Sequence, residues 1–166
     1  MPLDPALVGH ATPRELHTVV ADDIRAFAEA IADPNPLFRE TEVARQAGFA
    51  ATLATPTFIT RFRVPMAEFG LDPQRMQVLH GEQEYEYTRP LCAGDQVSVW
   101  QRLATLRQSS RGDGMAILAL ETLGETPGGE SLFIGRATVI VREGAPAAAA
   151  AAAKSATPRA GSAPAG

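Results

Sequence analysis

Period two takes over the sequence at Met76 and persists to Arg142, which commits the second half of the chain to strands. In MQVLHGEQEYEY (76–87), Val78, His80, Glu82, Glu84 and Glu86 fall on one face and Leu79, Gln83, Tyr85 and Tyr87 on the other. Three further β-rich runs follow, Gln96–Leu106, Met115–Leu123 and Ser131–Arg142. Arg89-Pro90 with Ala93-Gly94-Asp95, then Arg111–Gly114, then Pro127–Gly129 punctuate them as turns. Long strands at hairpin spacing predict an antiparallel meander.

The first half reads differently. Leu16–Val20 is a short β-branched run, the expected first strand. Ile24, Phe27, Ala28 and Ile31 then recur at helical spacing and predict a helix over about 23–32, with Asp22 or Asp23 as cap and dipole partner. Asp33 and Asn35 each precede a proline, which pushes both towards extended backbone and stops the helix. Two fixed φ angles so close together make a stiff ledge, suited to holding a polar side chain. Glu42–Ala47 predicts a short helix ended by Gly48. Leu53–Phe58 predicts a turn into a second apolar segment, Phe58–Phe69, with Thr57 as N-cap and Pro65 kinking the helix or ending it early. Little of that segment is polar apart from Arg61, Arg63 and Glu68, so it is expected to be buried. The expected architecture is α+β, a curled antiparallel sheet around one apolar helix.

Charge and composition narrow the function classes. Twelve of the 22 residues in Ala145–Gly166 are alanine, joined by Pro146, Pro158 and Pro164, and such a segment cannot bury enough surface to offset its ordering entropy. The expected organisation is an N-terminal arm over 1–13, one domain over 14–143, and a disordered Ala/Pro-rich tail over 144–166. The tail carries Lys154 and Arg159 and no acid, so the rest of the chain holds 13 cationic against 19 anionic side chains. That balance disfavours a nucleic-acid binder relying on phosphate contacts. No apolar run is long enough to span a membrane, and the first twenty residues lack the apolar core of a secretory signal. Cys92 is the only cysteine, and three histidines with it show no zinc spacing. A cytoplasmic protein without metal is expected.

Four segments carry more specific information: Asp33-Pro34-Asn35-Pro36-Leu37-Phe38, Ala54-Thr55-Pro56-Thr57-Phe58, Leu79-His80-Gly81-Glu82-Gln83 and Arg89-Pro90-Leu91-Cys92-Ala93-Gly94-Asp95. In that order and spacing, over roughly 15–143, the chain resembles the MaoC-like hydratases, nearest their N-terminal, fatty-synthase-type dehydratase branch. The resemblance implies a hotdog fold, a dimer joined edge to edge into one sheet, and hydration or dehydration of acyl thioesters. It implies no redox cofactor; coenzyme A or acyl carrier protein is only the substrate's handle.

Hydrating a 2-enoyl thioester needs a base for the water, an acid for the α-carbon and donors for the thioester oxygen. By resemblance, the family orients that water between the Asp and His of an Asp-x-Asn-Pro-x-His pattern. Asp33, Asn35 and Pro36 match; the His position is Phe38, which can neither take nor give a proton. Three readings follow. The chain is the non-catalytic half of a heterodimer, shaping the acyl pocket while a homologous subunit supplies Asp and His. Or it is a self-sufficient homodimer in which His80 replaces the imidazole. Or it binds acyl thioesters and catalyses nothing.

The candidate site residues are Asp33 as carboxylate, Asn35 as its support, the Thr57 and Phe58 amides as oxyanion donors, and His80. Each has a plainer reading: Asp33 and Asn35 as turn formers, Thr57–Phe58 as any helix end, and His80 as part of a solvated face. Tyr85 and Tyr87 read as core, Arg61 and Arg63 as cations that meet coenzyme phosphates or reach the surface, and His10 and His17 have no assigned role. A hotdog thioesterase is a rival; by resemblance it would want a carboxylate near the central helix, where only Glu68 is available. A pure interaction module is the other.

Overall fold

The computed structural model describes residues 3–62, 66–72, 74–110 and 114–144. The elements are β1 (Glu15–Thr18), α1 (Ala21–Ala30), α2 (Thr41–Gln46), β2 (Met76–Tyr87), β3 (Gln96–Gln108), β4 (Met115–Glu125) and β5 (Ser131–Glu143). Single 3-10 turns lie at Pro5–Leu7, Pro36–Phe38, Phe58–Arg61 and Met66–Phe69. The expected tail from Ala145 onward, Arg63, Pro65 and the Arg111–Asp113 turn lie outside the described residues.

All five strands form one antiparallel sheet in the order β1-β3-β4-β5-β2. The expected meander holds for β3, β4 and β5 but not for β2, which lies at the far edge against β5. The reason is the link that follows it. Thr88–Asp95 is no tight hairpin, because its backbone bonds elsewhere: Ala54 N–H donates to the Leu91 carbonyl at 2.8 Å and Ala93 N–H to the Thr52 carbonyl at 2.8 Å. Gly94 N–H donates to Val19 at 2.8 Å, so the link hands the chain to β3 beside β1.

Helix α1 begins two residues earlier than the stripe predicts. Its N-cap is Val20, without a side-chain cap, and Asp22 and Asp23 sit in the first turn, where they favour the dipole. Ile24 and Ala28 are fully buried, whereas Ile31 is 47% exposed. Ala32 explains that, turning left-handed at φ 55°. Its N–H bonds to Glu29 and Asp33 N–H to Ala28, the paired bonds of a Schellman ending. The ledge therefore starts from a strained residue, where glycine would be the relaxed choice.

The long central helix expected over Phe58–Phe69 is not there. Helical geometry stops at Arg61, and Phe62 is extended (ψ 100°). A proline ring clashes with the carbonyl four residues before it, which for Pro65 is that of Arg61. Phe58 and Ile59 still enter the core as a plug rather than as a helix face, with exposures of 2% and 3%. They join Ile24, Ala28, Phe38, Leu91 and Phe133 in one apolar cluster. A second cluster at the other end of the sheet holds Leu3, Phe69, Leu71, Leu103 and Leu118. Leu3 belongs to the segment expected to be an arm. That segment is docked: Gly9 N–H donates to Leu103, Thr12 N–H to Gln101, and Gln108 Nε2 to Leu3.

Candidate functional site

Residues 32–38 step the chain inward. Asp33 Oδ1 accepts the Asn35 N–H at 2.9 Å, and Asn35 Oδ1 accepts the Leu37 N–H at 3.0 Å. Arg39 Nε donates to the Asp33 carbonyl at 3.0 Å. Two consecutive side-chain turns of this kind replace helix hydrogen bonds and lead into the Pro36–Phe38 turn. The result is that Phe38 points into the core, only 7% exposed.

Phe38 there meets residues from two other motifs. Together with Ala54, Thr55, Tyr87, Arg89 and Leu91 it lines an apolar cavity of about 250 Å³. Three of the four sequence motifs thus converge on one space, although they are spread over more than fifty residues. Hydrogen bonds fix the walls. Leu53 N–H donates to the Leu37 carbonyl at 3.0 Å, and Tyr87 Oη donates to the Pro56 carbonyl at 2.7 Å. Arg89 grips Asp95 through both terminal nitrogens, at 2.8 and 3.0 Å, and Cys92 N–H donates to the same carboxylate at 2.8 Å. Thr55 is 2% exposed, and its hydroxyl has no hydrogen-bond partner among the described residues.

These contacts set the titration of the walls. Burial pushes the Tyr87 phenol well above its ordinary value, with the neighbouring Tyr85 adding to the shift, so Tyr87 stays a donor. Burial opposes the charge of Asp95, but the Arg89 hydrogen bond, the Cys92 N–H and the Arg89 charge outweigh it and hold the carboxyl below its ordinary range. The bond to Asp95 raises Arg89 in turn. Neither group exchanges a proton near neutrality.

A second cavity, about 210 Å³, opens on the inner face of the sheet and is lined by Ile59, Phe62, His80, Gln83, Gln101 and Thr122 among others. Its lining mixes such apolar side chains as Leu120 and Val139 with more polar groups than the first cavity has. Gln101 Nε2 donates to Thr122 Oγ1 at 3.0 Å, and Gln83 Nε2 to the Arg136 carbonyl at 3.0 Å. His80 reaches it because the β2–β5 register slips between His80 and Glu82. Gly81 is the extra residue, and the side-chain alternation changes phase across it. His80 therefore shares a face with Gln83 and Tyr85, not with Glu82, Glu84 and Glu86 as simple alternation predicts. Leu79 goes the other way and is 63% exposed.

Residues 6–134 match the model of a family described as FAS1-like, dehydratase domain region. The chain belongs to this family. A Streptomyces avermitilis relative, known only as a UPF0336 protein, is 36% identical over 121 residues, covering 68% of this chain and 79% of that one. The HadBC (3R-hydroxyacyl-ACP dehydratase) complex of Mycobacterium tuberculosis superposes with a TM-score of 0.67 at 23% identity, covering 84% of this chain and 99% of that one. The MaoC-like dehydratase of Rhodospirillum rubrum gives 0.64 at 22% identity, covering 82% and 93%. These likenesses establish an α+β hotdog fold of the MaoC-like kind.

In this FAS1-like dehydratase-region chain the candidate residues do not gather in one place. Asp33 and Asn35 support the ledge and line neither cavity. His80 lines the second cavity and shares no hydrogen bond with Asp33 among the described residues. The Thr57–Phe58 expectation needs correcting. Those residues open a single 3-10 turn instead of a long helix, Thr57 is exposed, and Phe58 N–H already donates to the Thr55 carbonyl at 3.0 Å. Arg61 is ion-paired with Asp23 at 2.6 Å, and Glu68 faces His10 at 3.4 Å. Among the described residues no three of His, Cys, Asp and Glu cluster closely enough to hold a metal, and no helix is long and apolar enough to cross a membrane.

Tyr87, Arg89 and Thr55 are the wall residues that sequence reading missed. Their signal was present: each lies in or next to a motif that already stood out.

Proposed function

We propose that this chain is the pocket-shaping subunit of an acyl-thioester hydratase or dehydratase, working on 2-enoyl or 3-hydroxyacyl groups carried by coenzyme A or acyl carrier protein. One observation carries the reading. The position where the family pattern wants an imidazole holds Phe38, 7% exposed and packed into the wall of an apolar cavity. Such a wall suits a hydrocarbon chain and offers no group to move a proton. The Thr55 hydroxyl, without a hydrogen-bond partner among the described residues, is a polar group of that wall which a bound acyl oxygen would satisfy. The water-activating Asp and His then belong to a second, homologous chain in the dimer.

The self-sufficient homodimer finds some support in His80, which the Gly81 bulge turns inward. It lacks the other half of the pair, because Asp33 lines neither cavity and its Oδ1 is engaged by Asn35. The third reading, binding without catalysis, differs only in having no active partner. Hydration of crotonyl-CoA by the purified chain, alone and mixed with a MaoC-like chain carrying an intact Asp-x-Asn-Pro-x-His, separates the three. Divided labour predicts negligible turnover alone and turnover in the mixture above that of the partner by itself. Appreciable turnover by the lone chain contradicts it.

A further inference from the structure

Among the described residues the buried polar side chains are Thr12, Thr52 and Thr55, and two of the three are satisfied. Thr12 Oγ1 accepts the Gln101 N–H at 3.0 Å and donates to the Pro13 carbonyl at 3.3 Å. Thr52 Oγ1 pairs with Thr41 Oγ1 at 2.7 Å. Thr55 lines the first cavity at 2% exposure, and its hydroxyl has no partner among the described residues. A buried hydroxyl left that way costs stability, and native proteins keep few of them.

No described contact requires a hydroxyl at this position. Thr55 serves the backbone through its carbonyl, which accepts the Phe58 N–H at 3.0 Å, and valine has the same carbonyl. Valine also has the same branching at Cβ and brings no unpaired polar atom. Two other polar residues of the wall are engaged: Tyr87 Oη donates to the Pro56 carbonyl at 2.7 Å, and Arg89 holds Asp95 and the Pro90 carbonyl. An ordered water is a poor partner for Thr55, since it needs about two to four polar contacts. Phe38, Leu53, Ala54 and Leu91 of the same lining offer only apolar side chains. One oxygen carried on a hydrocarbon frame suits both the hydroxyl and the rest of the wall.

The place of that oxygen follows from the divided-subunit reading, on which this inference rests. Hydration and dehydration occur at the two carbons next to the thioester carbonyl, beside the Asp and His assigned to the second chain. A cavity walled by Phe38 moves no proton, so it receives the far part of the acyl group. The size agrees. An apolar cavity of about 150 Å³ takes a benzene ring, so about 250 Å³ holds roughly six to ten non-hydrogen atoms.

We infer that Thr55 determines specificity: it selects acyl thioesters whose chain carries a hydroxyl or keto oxygen away from the reacting carbons, over plain chains of equal length. The probes are octanoyl-CoA and its 5-, 6- and 7-hydroxy derivatives, none of which can be hydrated or dehydrated at the reacting carbons. Each is titrated calorimetrically into the full chain, alone and mixed with the intact MaoC-like chain. Wild type should bind at least one hydroxylated probe about tenfold more tightly than octanoyl-CoA. Thr55→Val should abolish that preference and bind octanoyl-CoA no worse, whereas Thr55→Ser should keep it. The urea midpoint of Thr55→Val should equal or exceed that of wild type, because no internal hydrogen bond is lost.

Equal binding of all four probes by wild type overturns the inference and leaves the thioester reading standing. A preference that survives in Thr55→Val overturns it too, as does a midpoint that falls in Thr55→Val but not in Thr55→Ser. If no thioester binds, the thioester reading fails and handle-free probes decide. Hexanol and chloropentane, similar in size, are then titrated and followed by amide chemical shifts. Wild type should favour the alcohol over the chloride about tenfold more than Thr55→Val does, and equal ratios in the two overturn the inference.

Discussion

The two cavities are built from neighbouring pieces of chain, yet the second carries more polar groups in its wall than the first. Thr55 and Tyr87 face the first, Ile59 and Tyr85 the second. The first collects three of the four family motifs and presents Phe38 and Leu91, with a phenol that stays protonated and a guanidinium locked to Asp95. The second has an imidazole, two amides, two threonine hydroxyls and the Tyr85 phenol in its lining, but only the motif around His80 contributes to it. Motif residues preserve the shape of a cleft more faithfully than they preserve its chemistry. In Asp-Pro-Asn-Pro-Leu-Phe the matched positions hold the turn, and the departing position decides whether a proton can move.

The largest effect is expected where the cavities share a support. The Phe133 ring stacks on Phe62 (6.2 Å, 4°) and leans on Tyr87 (5.9 Å), touching a wall of each cavity. It has room only because Gly124 opposes it: a Cβ there would lie 2.3 Å from the ring. Phe133→Ala should cost about 3–5 kcal/mol, the usual loss for a buried ring, read from urea denaturation. A loss below about 1 kcal/mol would mean that the ring supports neither wall.

Rebuilding the family pattern tests the contrast more directly. Phe38→His places a polar ring in the apolar wall and should cost about 1–3 kcal/mol. It should add no crotonyl-CoA hydration to the lone chain, since Asp33 lines neither cavity. A gain of about a hundredfold, the scale of general acid–base help, would show that the ledge can still form a working pair and would erase the distinction between the cavities.

The Arg89–Asp95 lock should matter less. Arg89 is 42% and Asp95 20% exposed at the side chain, so solvent screens part of the attraction. Asp95→Ala should cost about 1–2 kcal/mol, chiefly through the Cys92 N–H left unpaired. The sign of its pH dependence follows from the lowered pKa: the carboxylate's contribution is complete above the ordinary value of 3.8 and is lost as pH falls through the lower folded value. The stability difference between wild type and variant should hold steady from about pH 7 to pH 5 and shrink below about pH 4. A difference already shrinking near neutrality contradicts the direction of the shift.

Periodicity made most of the framework legible. The four long strands and the buried pair Ile24 and Ala28 were readable because burial on one face leaves a repeat in the sequence. The misses have local causes that a repeat does not encode. Ile31 continued the stripe, but Ala32 had already turned the chain. Phe58–Phe69 looked helical because its apolar residues cluster; a plug that packs on all sides needs no single face, and Pro65 argued against continuity. His80 was assigned to the wrong face because one glycine inside an alternating strand shifts the phase, and such a glycine is itself the sign of a bulge. At the site, the convergence of three motifs was not readable, since it depends on β2 crossing to the far edge.

The smallest effect separates a turn former from a catalyst. In this structure Asp33 acts through Oδ1, which accepts the Asn35 N–H. Asp33→Asn keeps an oxygen in that place and removes only the charge, so it should change stability by no more than about 0.5 kcal/mol. Asp33→Ala removes the acceptor and should cost about 1 kcal/mol, a typical hydrogen bond's net worth. If the divided-labour proposal holds, hydration by the mixed assembly should follow the same order, with Asn indistinguishable from wild type and Ala slightly impaired through a loosened Phe38 wall. A carboxylate that activates water gives the reverse pattern. Both variants would then lose activity alike, by about a hundredfold or more, while Asn remained as stable as wild type. Measuring stability and turnover on the same two variants therefore decides whether the ledge only carries the apolar wall or also takes part in the chemistry.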